Sequence, residues 1–325
     1  MVESRYTLFF EQCDANAQAR VGGKNASLGS MIQANAPVPP GFAVTTDAYA
    51  RMLATNGIDR QINALLADLD PKDVAGEAAA SQTIRALIEQ TSIPADIEQD
   101  IRAAYAELGR KCAMSDVPVA VRSSATAEDL PGASFAGQQD TFLWVVGPTE
   151  LLRHITRCWS SLYTARAISY RNQKGFPHHK VLMSVGVQKM VNAKAAGVMF
   201  TLNPINGDRS KVVIDASWGL GEAVVGGEVT PDNYLVDKIA FEIIKRTISP
   251  KTIEYRPDPQ NRRVDRLEVP PDRQTAPCLT DQEILALTKY ARLAEKHYGR
   301  PQDLEWAIDA DLSPPDNIVL LQSRP

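Results

Sequence analysis

Two strand-like stretches near the C-terminus decide the fold: Asp303-Leu304-Glu305-Trp306-Ala307-Ile308 and Ile318-Val319-Leu320-Leu321-Gln322-Ser323-Arg324-Pro325. The segment between them is acidic, and a turn such as Asp316-Asn317 joins two strands of this kind. Strand, turn and strand in this order predict a β-hairpin.

Polar side chains alternate with apolar ones along both stretches. Alternation places Asp303 and Glu305 on one face of the first strand, and Gln322 and Arg324 on one face of the second. If the two faces coincide, carboxylate and amide oxygens meet a guanidinium, which suits Mg²⁺ and phosphate. The alternative interpretation is a surface hairpin with a salt bridge.

Composition excludes several classes of protein. The 325 residues carry a formal net charge of -4, which is unlike the basic footprint of a nucleic-acid-binding protein. We find no apolar run of about 18 residues that could cross a membrane, and the N-terminus lacks a signal-peptide pattern. Four widely spaced cysteines form no C-x-x-C pair, so we expect reduced thiols in a cytoplasmic protein.

Segments with helical and with strand-like patterns alternate along the chain. Helical spacing of Ala, Leu, Ile and charged residues covers 58–111, and residues 149–174 predict a further helix. Short β-rich runs lie at 117–121, 181–188, 197–201, 211–215 and 234–237. The mixture predicts the α+β class, with α/β as the alternative.

Two segments of different character precede the predicted hairpin. Residues 257–277 are rich in Pro, Asp and Arg and predict a loop or an irregular extended segment. A helix is predicted from Asp281 to Tyr298, with Thr280 as its N-cap and Glu283 at the capping-box position.

A glycine-rich turn, Val21-Gly22-Gly23-Lys24-Asn25-Ala26-Ser27-Leu28-Gly29, leads into a helix. Glycines let the backbone approach an anion, and Lys24 supplies a positive charge. The spacing is not that of a Walker A loop. The alternative is an ordinary turn with an exposed lysine.

A second candidate follows the apolar run Val119-Ala120-Val121, where Arg122 and three hydroxyl side chains come next. Arg122 can bind a phosphate with two donors. The small residues from Gly132 to Gln138 can cover phosphate oxygens with backbone amides. The alternative is a capped helix start, with a type II turn at Asp129-Leu130-Pro131-Gly132.

Two more segments are weaker candidates. Gln188-Lys189-Met190-Val191 ends a strand, where exposed backbone groups can read an adenine ring. Trp218-Gly219-Leu220-Gly221-Glu222 offers Glu222 as a polar contact, although its glycines also fit a simple turn. The four histidines, His154, His178, His179 and His297, lack a neighbouring nucleophile and are predicted to be structural or exposed.

Together these segments resemble the nucleotide-binding domain of the phosphoenolpyruvate synthase and pyruvate phosphate dikinase family, over nearly the whole chain. The motifs that carry the resemblance are Val38-Pro39-Pro40-Gly41-Phe42-Ala43-Val44-Thr45-Thr46, Val121-Arg122-Ser123-Ser124-Ala125-Thr126-Ala127-Glu128-Asp129, Ser134-Phe135-Ala136-Gly137-Gln138 and Thr201-Leu202-Asn203-Pro204. The resemblance implies an ATP-grasp-like, two-lobed nucleotide-binding fold. We expect residues 1–186 to form the N-terminal lobe with the triphosphate-binding elements, and 187–325 the C-terminal lobe with the adenine strand and the hairpin.

The resemblance also implies roles for individual residues. Lys24 and Arg122 would contact the triphosphate of ATP, and Arg324 would stabilise the transferring phosphoryl oxygens. Glu305 and Gln322 look like Mg²⁺ ligands, with Asp303 near them. The remaining nucleotide contacts would be Gly132, Ala133, Ser134, Phe135 and Ala136 in the phosphate-covering loop, Gln188, Lys189, Met190 and Val191 at the adenine, and Glu222.

Enzymes of this family pass the β-phosphoryl group of ATP to a histidine on a swivelling domain and release AMP and phosphate. That histidine lies in a Gly-Gly-x-Thr-Ser-His motif, and none of the four histidines here lies in such a motif. The barrel domain that binds pyruvate in the synthase is also missing from this sequence. We therefore expect two partners, a histidine-bearing phosphocarrier domain or subunit and an acceptor-binding subunit.

These motifs do not identify the acceptor of the phosphoryl group. The first choice is phenol, because the chain resembles the ATP-binding subunit of a split enzyme such as phenylphosphate synthase. A phosphoenolpyruvate synthase or a rifampicin phosphotransferase would have much the same sequence in this region. A non-catalytic regulatory paralogue is a second class, and a self-contained ATP-grasp ligase is a third.

Overall fold

The computed structural model describes residues 4–55, 57–67, 69–70, 73–126 and 140–325. The chain forms two compact units. Unit 1 comprises Met1–Gly29 and Pro40–Met190, and unit 2 comprises Ser30–Pro39 and Val191–Pro325.

Unit 1 is built on a five-stranded sheet in which all neighbouring strands are antiparallel. Its strands are β1 (Thr7–Phe9), β2 (Gly41–Val44), β3 (Val119–Ala125), β4 (Thr141–Val145) and β5 (Met183–Lys189). They lie in the order β1-β2-β5-β3-β4, so β5 and β3 are central. The strand that carries Arg122 is thus held on both sides.

Seven α-helices lie between residues 18 and 174 in the part of the chain that the structure describes. They are α1 (Gln18–Gln33), α2 (Thr46–Thr55), α3 (Ile58–Ala67), α4 (Val74–Gln90), α5 (Ala95–Cys112), α6 (Pro148–Ser160) and α7 (Ala165–Lys174). The helical text predicted for 58–111 therefore forms three helices. Ile84, Leu108, Ile155 and Trp159 are fully buried where these helices pack together and on the sheet.

Unit 2 is built on a six-stranded antiparallel sheet in the order β13-β12-β6-β7-β8-β9, with a separate two-stranded hairpin, β10-β11. Its strands are β6 (Ala193–Phe200), β7 (Lys211–Trp218), β8 (Asp232–Asp237), β9 (Glu242–Thr247), β10 (Ile253–Asp258), β11 (Arg263–Glu268), β12 (Asp303–Asp309) and β13 (Ile318–Arg324). Its helices are α8 (Glu222–Val225), α9 (Pro271–Gln274) and α10 (Asp281–Tyr298).

Helix α10 has the predicted bounds and the predicted cap. The Glu283 N–H donates to Thr280 Oγ1 at 3.2 Å, and the Thr280 N–H donates to Glu283 Oε2 at 2.8 Å, which is the capping box. Gly299 ends the helix with φ +67°, a conformation that favours glycine. The buried face of α10, with Ile284 and Leu287, packs on the six-stranded sheet.

Of the two alternatives predicted for 257–277, the first half of the segment forms the extended one, as part of a regular hairpin. Strands β10 and β11 pair from Ile253↔Glu268 to Asp258↔Arg263. Most side chains of this hairpin are half-buried or exposed, so the apolar alternation that identifies a half-buried strand is absent. Ion pairs such as Arg256–Glu254, at 2.9 Å, accompany the strand hydrogen bonds.

Antiparallel sheets combined with helices confirm the α+β class. The ATP-grasp assignment and the division between residues 186 and 187 stay predictions. All four cysteines are free, and three of them, Cys13, Cys158 and Cys278, are buried. Among the described residues, no helix has both the length and the apolar character needed to cross a membrane.

Candidate functional site

The C-terminal hairpin brings four predicted site residues onto one face. Across the β12–β13 pair, Asp303 lies opposite Arg324 and Glu305 lies opposite Gln322. Directly opposed residues in an antiparallel pair point to the same side of the sheet. The hairpin prediction and the shared face are therefore confirmed.

A β-bulge separates these polar pairs from the core. The register shifts between Glu305 and Trp306, so Trp306 lies opposite Leu320. Trp306 and Leu320 are fully buried, whereas Asp303 and Glu305 are half-buried. The bulge lets β13 direct Leu320 into the core while Gln322 stays with the carboxylates on the other face.

Electrostatics on this face favour a cation. Burial, followed by the neighbouring Glu305 carboxylate, raises the pKa of Asp303, while Arg324 lowers it. Asp303 Oδ1 is buried and has no hydrogen-bond partner among the described residues. A buried acceptor of this kind needs a donor or a metal ion. With its amide oxygen turned towards Arg324, Gln322 accepts a hydrogen bond from Nη2 at 2.6 Å.

The donor set fits Mg²⁺ better than a transition metal. Within the described ranges, no group of three or more His, Cys, Asp or Glu side chains is placed to hold a metal ion. Mg²⁺ is commonly bound by one or two carboxylates, with water and substrate phosphates completing its shell. Asp303, Glu305 and the Gln322 amide would supply oxygen ligands of this type.

Lys24 is tied to the strand that carries Arg122. Helix α1 is interrupted at Gly22, where φ is +72° and a Cβ atom would lie 2.3 Å from Ser124 O. This close approach brings the next turn of α1 onto β3, where Lys24 Nζ donates to Ser123 O at 3.1 Å. Lys24 and Arg122 thus belong to one local arrangement within unit 1.

Asn25 secures this contact and was not singled out from the sequence. It is almost fully buried, and its Nδ2 donates to Val21 O at 2.9 Å and to Ser184 Oγ at 3.2 Å. A Cβ atom at Gly186 on β5 would lie 2.4 Å from Asn25 Oδ1, so a side chain there would displace the Asn25 amide. The available signal was an amide next to Gly22-Gly23-Lys24, but its partner lies 159 residues away.

Arg122 is half-buried in the middle of β3, between Thr141 on β4 and Gly186 on β5. Two hydroxyl side chains follow it. Ser123 Oγ donates to Asp140 O at 3.2 Å, and Ser124 Oγ is buried with no partner among the described residues. The predicted turn at 129–132 and the loop residues Gly132, Ala133, Ser134, Phe135 and Ala136 lie outside the described residues.

The backbone at the end of β5 is largely occupied. Gln188 is paired with Gly41 on one side and Ala120 on the other. The N–H groups of Lys189 and Met190 donate to Pro40 O and Pro118 O, at 2.9 and 2.8 Å. The N–H groups of these two residues are therefore already paired within unit 1. A role for this segment in lining the adenine pocket stays a prediction, as does one for Val191 of unit 2.

Glu222 begins the short helix α8 in unit 2 and is half-buried. It follows the Gly219 turn, whose φ of +72° confirms the turn-forming role of that glycine. A contact between Glu222 and a nucleotide stays a prediction.

The histidines make structural contacts, as predicted. His154 Nδ1 lies 2.8 Å from Glu150 O, and His297 Nε2 lies 2.7 Å from Ser30 Oγ. His178 accepts from Arg171 Nε at 2.8 Å, and burial and the charges of Arg171 and His179 lower its pKa to about 4. His179 is exposed.

Residues 18–325 match the family model described as "Pyruvate phosphate dikinase, AMP/ATP-binding domain". The chain belongs to this family.

Curated relatives agree with the family. The chain is 44% identical to a probable phosphoenolpyruvate synthase of Staphylothermus marinus, over 99% of this chain and 41% of that protein. It is 44% identical to a probable phosphoenolpyruvate synthase of Methanothermobacter thermautotrophicus, over 99% of this chain and 46% of that protein. The phosphoenolpyruvate synthase of Aeropyrum pernix is 42% identical, over 100% of this chain and 42% of that protein. The chain spans less than half the length of these relatives.

Proposed function

We propose that this chain is the ATP-binding part of a phosphoenolpyruvate-synthase-like phosphotransferase. It binds Mg-ATP and passes the β-phosphoryl group to a histidine on a separate swivelling domain or subunit. ATP, one water and the histidine then give AMP, phosphate and phosphohistidine. The observation that carries the proposal is the pairing of Asp303 with Arg324 and of Glu305 with Gln322, in a chain that matches an AMP/ATP-binding family.

In unit 2 the hairpin would serve the reacting end of the nucleotide. Glu305 and Gln322 would hold Mg²⁺, with Asp303 beside them; its buried Oδ1 supports this assignment. The ion, when bound, neutralises phosphate charge. Arg324 would donate to the oxygens of the transferring phosphoryl group, where charge neutralisation and positioning supply most of the catalysis.

In unit 1, Lys24 and Arg122 would bind the triphosphate. The close contact of α1 with β3 supports this, because it fixes a lysine and an arginine on neighbouring elements. The loop from Gly132 to Ala136 would cover the phosphates, and the Gln188-to-Val191 segment would line the adenine pocket. These last assignments rest on the sequence motifs.

The partner would carry the phosphorylated histidine, since the family transfers phosphate through such a domain and the four histidines here are outside that motif. The names of the relatives favour pyruvate as the acceptor to test first. Phenol, which the sequence analysis placed first, has no support from these names and is tested second.

A non-catalytic nucleotide-binding paralogue is the alternative. Retention of Lys24 and Arg122 in unit 1, and of Glu305, Gln322 and Arg324 in unit 2, argues against it, because neighbouring like charges without a ligand cost stability.

Calorimetric titration of the chain with ATP, with and without Mg²⁺ and with AMP for comparison, tests the binding step. We expect ATP binding that strengthens with Mg²⁺. Addition of the histidine-bearing domain of a relative should then release AMP rather than ADP. ADP as the product would contradict the dikinase assignment, and Mg-ATP binding without any turnover would favour the paralogue.

A further inference from the structure

The turn that leads to Glu222 lies directly against the β10–β11 hairpin. At Gly219 a Cβ atom would lie 2.3 Å from Tyr255 O, so only glycine allows this approach. The next residue, Leu220, donates its N–H to Tyr255 O at 2.9 Å. The start of α8 is therefore fixed to the backbone of Tyr255.

The other end of α8 is held by the side chain of the same tyrosine. Tyr255 OH donates to Glu228 Oε1 at 2.7 Å, and Arg266 Nε donates to Glu228 Oε2 at 3.3 Å. Glu228 in turn donates its backbone N–H to Ala223 O at 3.0 Å. Tyr255 thus holds the segment before α8 through its carbonyl and the segment after it through its phenol.

Helix α8 needs such support. It has four residues, and a single helical turn has little stability of its own. Glu222 is its first residue, so the direction of the Glu222 side chain depends on how this turn is seated.

A second set of contacts braces the hairpin at the base of the turn. Arg273 donates to both carboxylate oxygens of Glu254, at 3.1 and 3.2 Å, and its guanidinium lies 4.6 Å from the ring centre of Trp218. Trp218 Nε1 donates to Arg273 O at 3.1 Å. Glu254 is only 3% exposed, whereas the Arg273 side chain is partly exposed, so the carboxylate is the buried member of this ion pair.

We propose that the β10–β11 hairpin is a positioning element for nucleotide binding, with the Tyr255 phenol and Glu228 setting the orientation of Glu222. The inference rests on the proposed function and on the role that the family resemblance implies for Glu222, which would contact the nucleotide and accept a hydrogen bond from it. Tyr255 and Glu228 act through α8 and do not touch the nucleotide.

A double-mutant cycle on ATP affinity tests this role. Tyr255→Phe removes the phenol and keeps the backbone contact with Leu220. It should weaken ATP binding by about threefold to fivefold, and Glu222→Gln by about tenfold. If the tyrosine acts through Glu222, the double variant should bind ATP no more weakly than Glu222→Gln alone.

Tyr290→Phe is the matched control, since the Tyr290 hydroxyl makes no hydrogen bond in the part of the chain that the structure describes; its ATP affinity and midpoint of unfolding should equal those of the parent chain. Additive effects in the cycle, or an unchanged affinity of Tyr255→Phe, would overturn the positioning role. An unchanged affinity of Glu222→Gln in a chain that binds ATP would also overturn it and leave the proposed function intact. Failure of the parent chain to bind ATP would remove both.

Discussion

Asp303 faces Arg324 across the β12–β13 hairpin, two residues along each strand from the facing pair of Glu305 and Gln322. The guanidinium opposes the rise in the pKa of Asp303 that burial and Glu305 produce. Two carboxylates and a guanidinium thus lie side by side in one register, an arrangement that would suit phosphoryl transfer.

Arg324→Ala should reduce phosphoryl transfer far more than ATP binding. If Arg324 acts on the transferring group, its loss should lower the rate of AMP formation by about 100-fold or more, with a smaller change in ATP affinity. AMP release with the histidine-bearing partner and calorimetric ATP binding measure the two effects. Arg300→Ala, at an exposed arginine, is the control and should change neither. Equal losses in rate and affinity would remove the assignment.

Glu305→Gln should raise the Mg²⁺ requirement. Replacing one carboxylate ligand by an amide weakens the attraction for the ion, so half-maximal ATP binding should need about tenfold more Mg²⁺. A titration of ATP binding against Mg²⁺ concentration measures the change. Glu242→Gln on β9, an exposed carboxylate, should leave the requirement unchanged. A parent-like curve for Glu305→Gln would count against its role as a ligand.

The hairpin shows how far the sequence could predict the site. Alternation was enough to place Asp303 with Glu305 and Gln322 with Arg324, because side-chain period is a local property. The partner of each residue was not predictable, since it depends on the length of the connecting loop and on the bulge at Glu305/Trp306. A bulge is difficult to recognise in a sequence, because it consists of a single extra residue on one of the two strands.

Local signals were predictable from the sequence, and long-range contacts were not. Helix α10 was predicted with its bounds because Thr280 and Glu283 form a local capping box. Strands β10 and β11 were missed because their side chains are mostly polar and their pairing is with each other. The contact of Gly22 with Ser124 joins residues about a hundred positions apart, and glycine-rich text alone does not name its partner.

Asp232→Asn should destabilise unit 2 strongly. Asp232 and Lys251 form an ion pair in which both side chains are fully buried, and Asp232 also accepts from the backbone of Ser249 and Cys278. Removing one charge leaves the other buried without compensation, which costs about 3–5 kcal/mol of unfolding free energy. Guanidinium-induced unfolding measures it. Asp281→Asn breaks the exposed pair with Arg246 and should cost about 1 kcal/mol or less. Similar losses for both variants would contradict the prediction.

The stability of unit 1 should fall between pH 6.5 and pH 4 in a way that depends on His178. Burial, Arg171 and His179 lower the pKa of His178 from 6.5 to about 4, and its Nδ1 must stay unprotonated to accept from Arg171 Nε. The unfolded chain therefore binds the proton first as the pH falls, so protonation favours unfolding throughout this window. Above pH 6.5 the stabilisation of unit 1 by neutral His178 is fully present.

His178→Gln removes this titration. The denaturation midpoint of the parent chain should drop more steeply from pH 7 to pH 5 than that of the variant, because carboxylate titrations are common to both. His179→Gln, at the exposed neighbour, should keep the steep dependence of the parent. Parallel pH profiles for the parent and His178→Gln would show that this histidine is not the origin of the slope.

Gly22→Ala should damage both stability and nucleotide binding, because two separate constraints meet at this residue. Its φ of +72° disfavours a side chain by about 1 kcal/mol, and a Cβ atom there would overlap Ser124 O. The overlap should push α1 away from β3 and cost a further 1–3 kcal/mol or so, as overpacking does. Lys24 would then lose its contact with Ser123 O, so ATP affinity should fall with it.

Gly175→Ala separates the two constraints. Gly175 has a similar φ of +68°, but a Cβ atom there would meet nothing within 4 Å. It should therefore cost only the backbone term, about 1 kcal/mol, and leave ATP affinity unchanged. Unfolding by denaturant and calorimetric ATP titration of both variants give the comparison. If Gly22→Ala proves no more costly than Gly175→Ala, the close approach of α1 to β3 does not hold Lys24 in place.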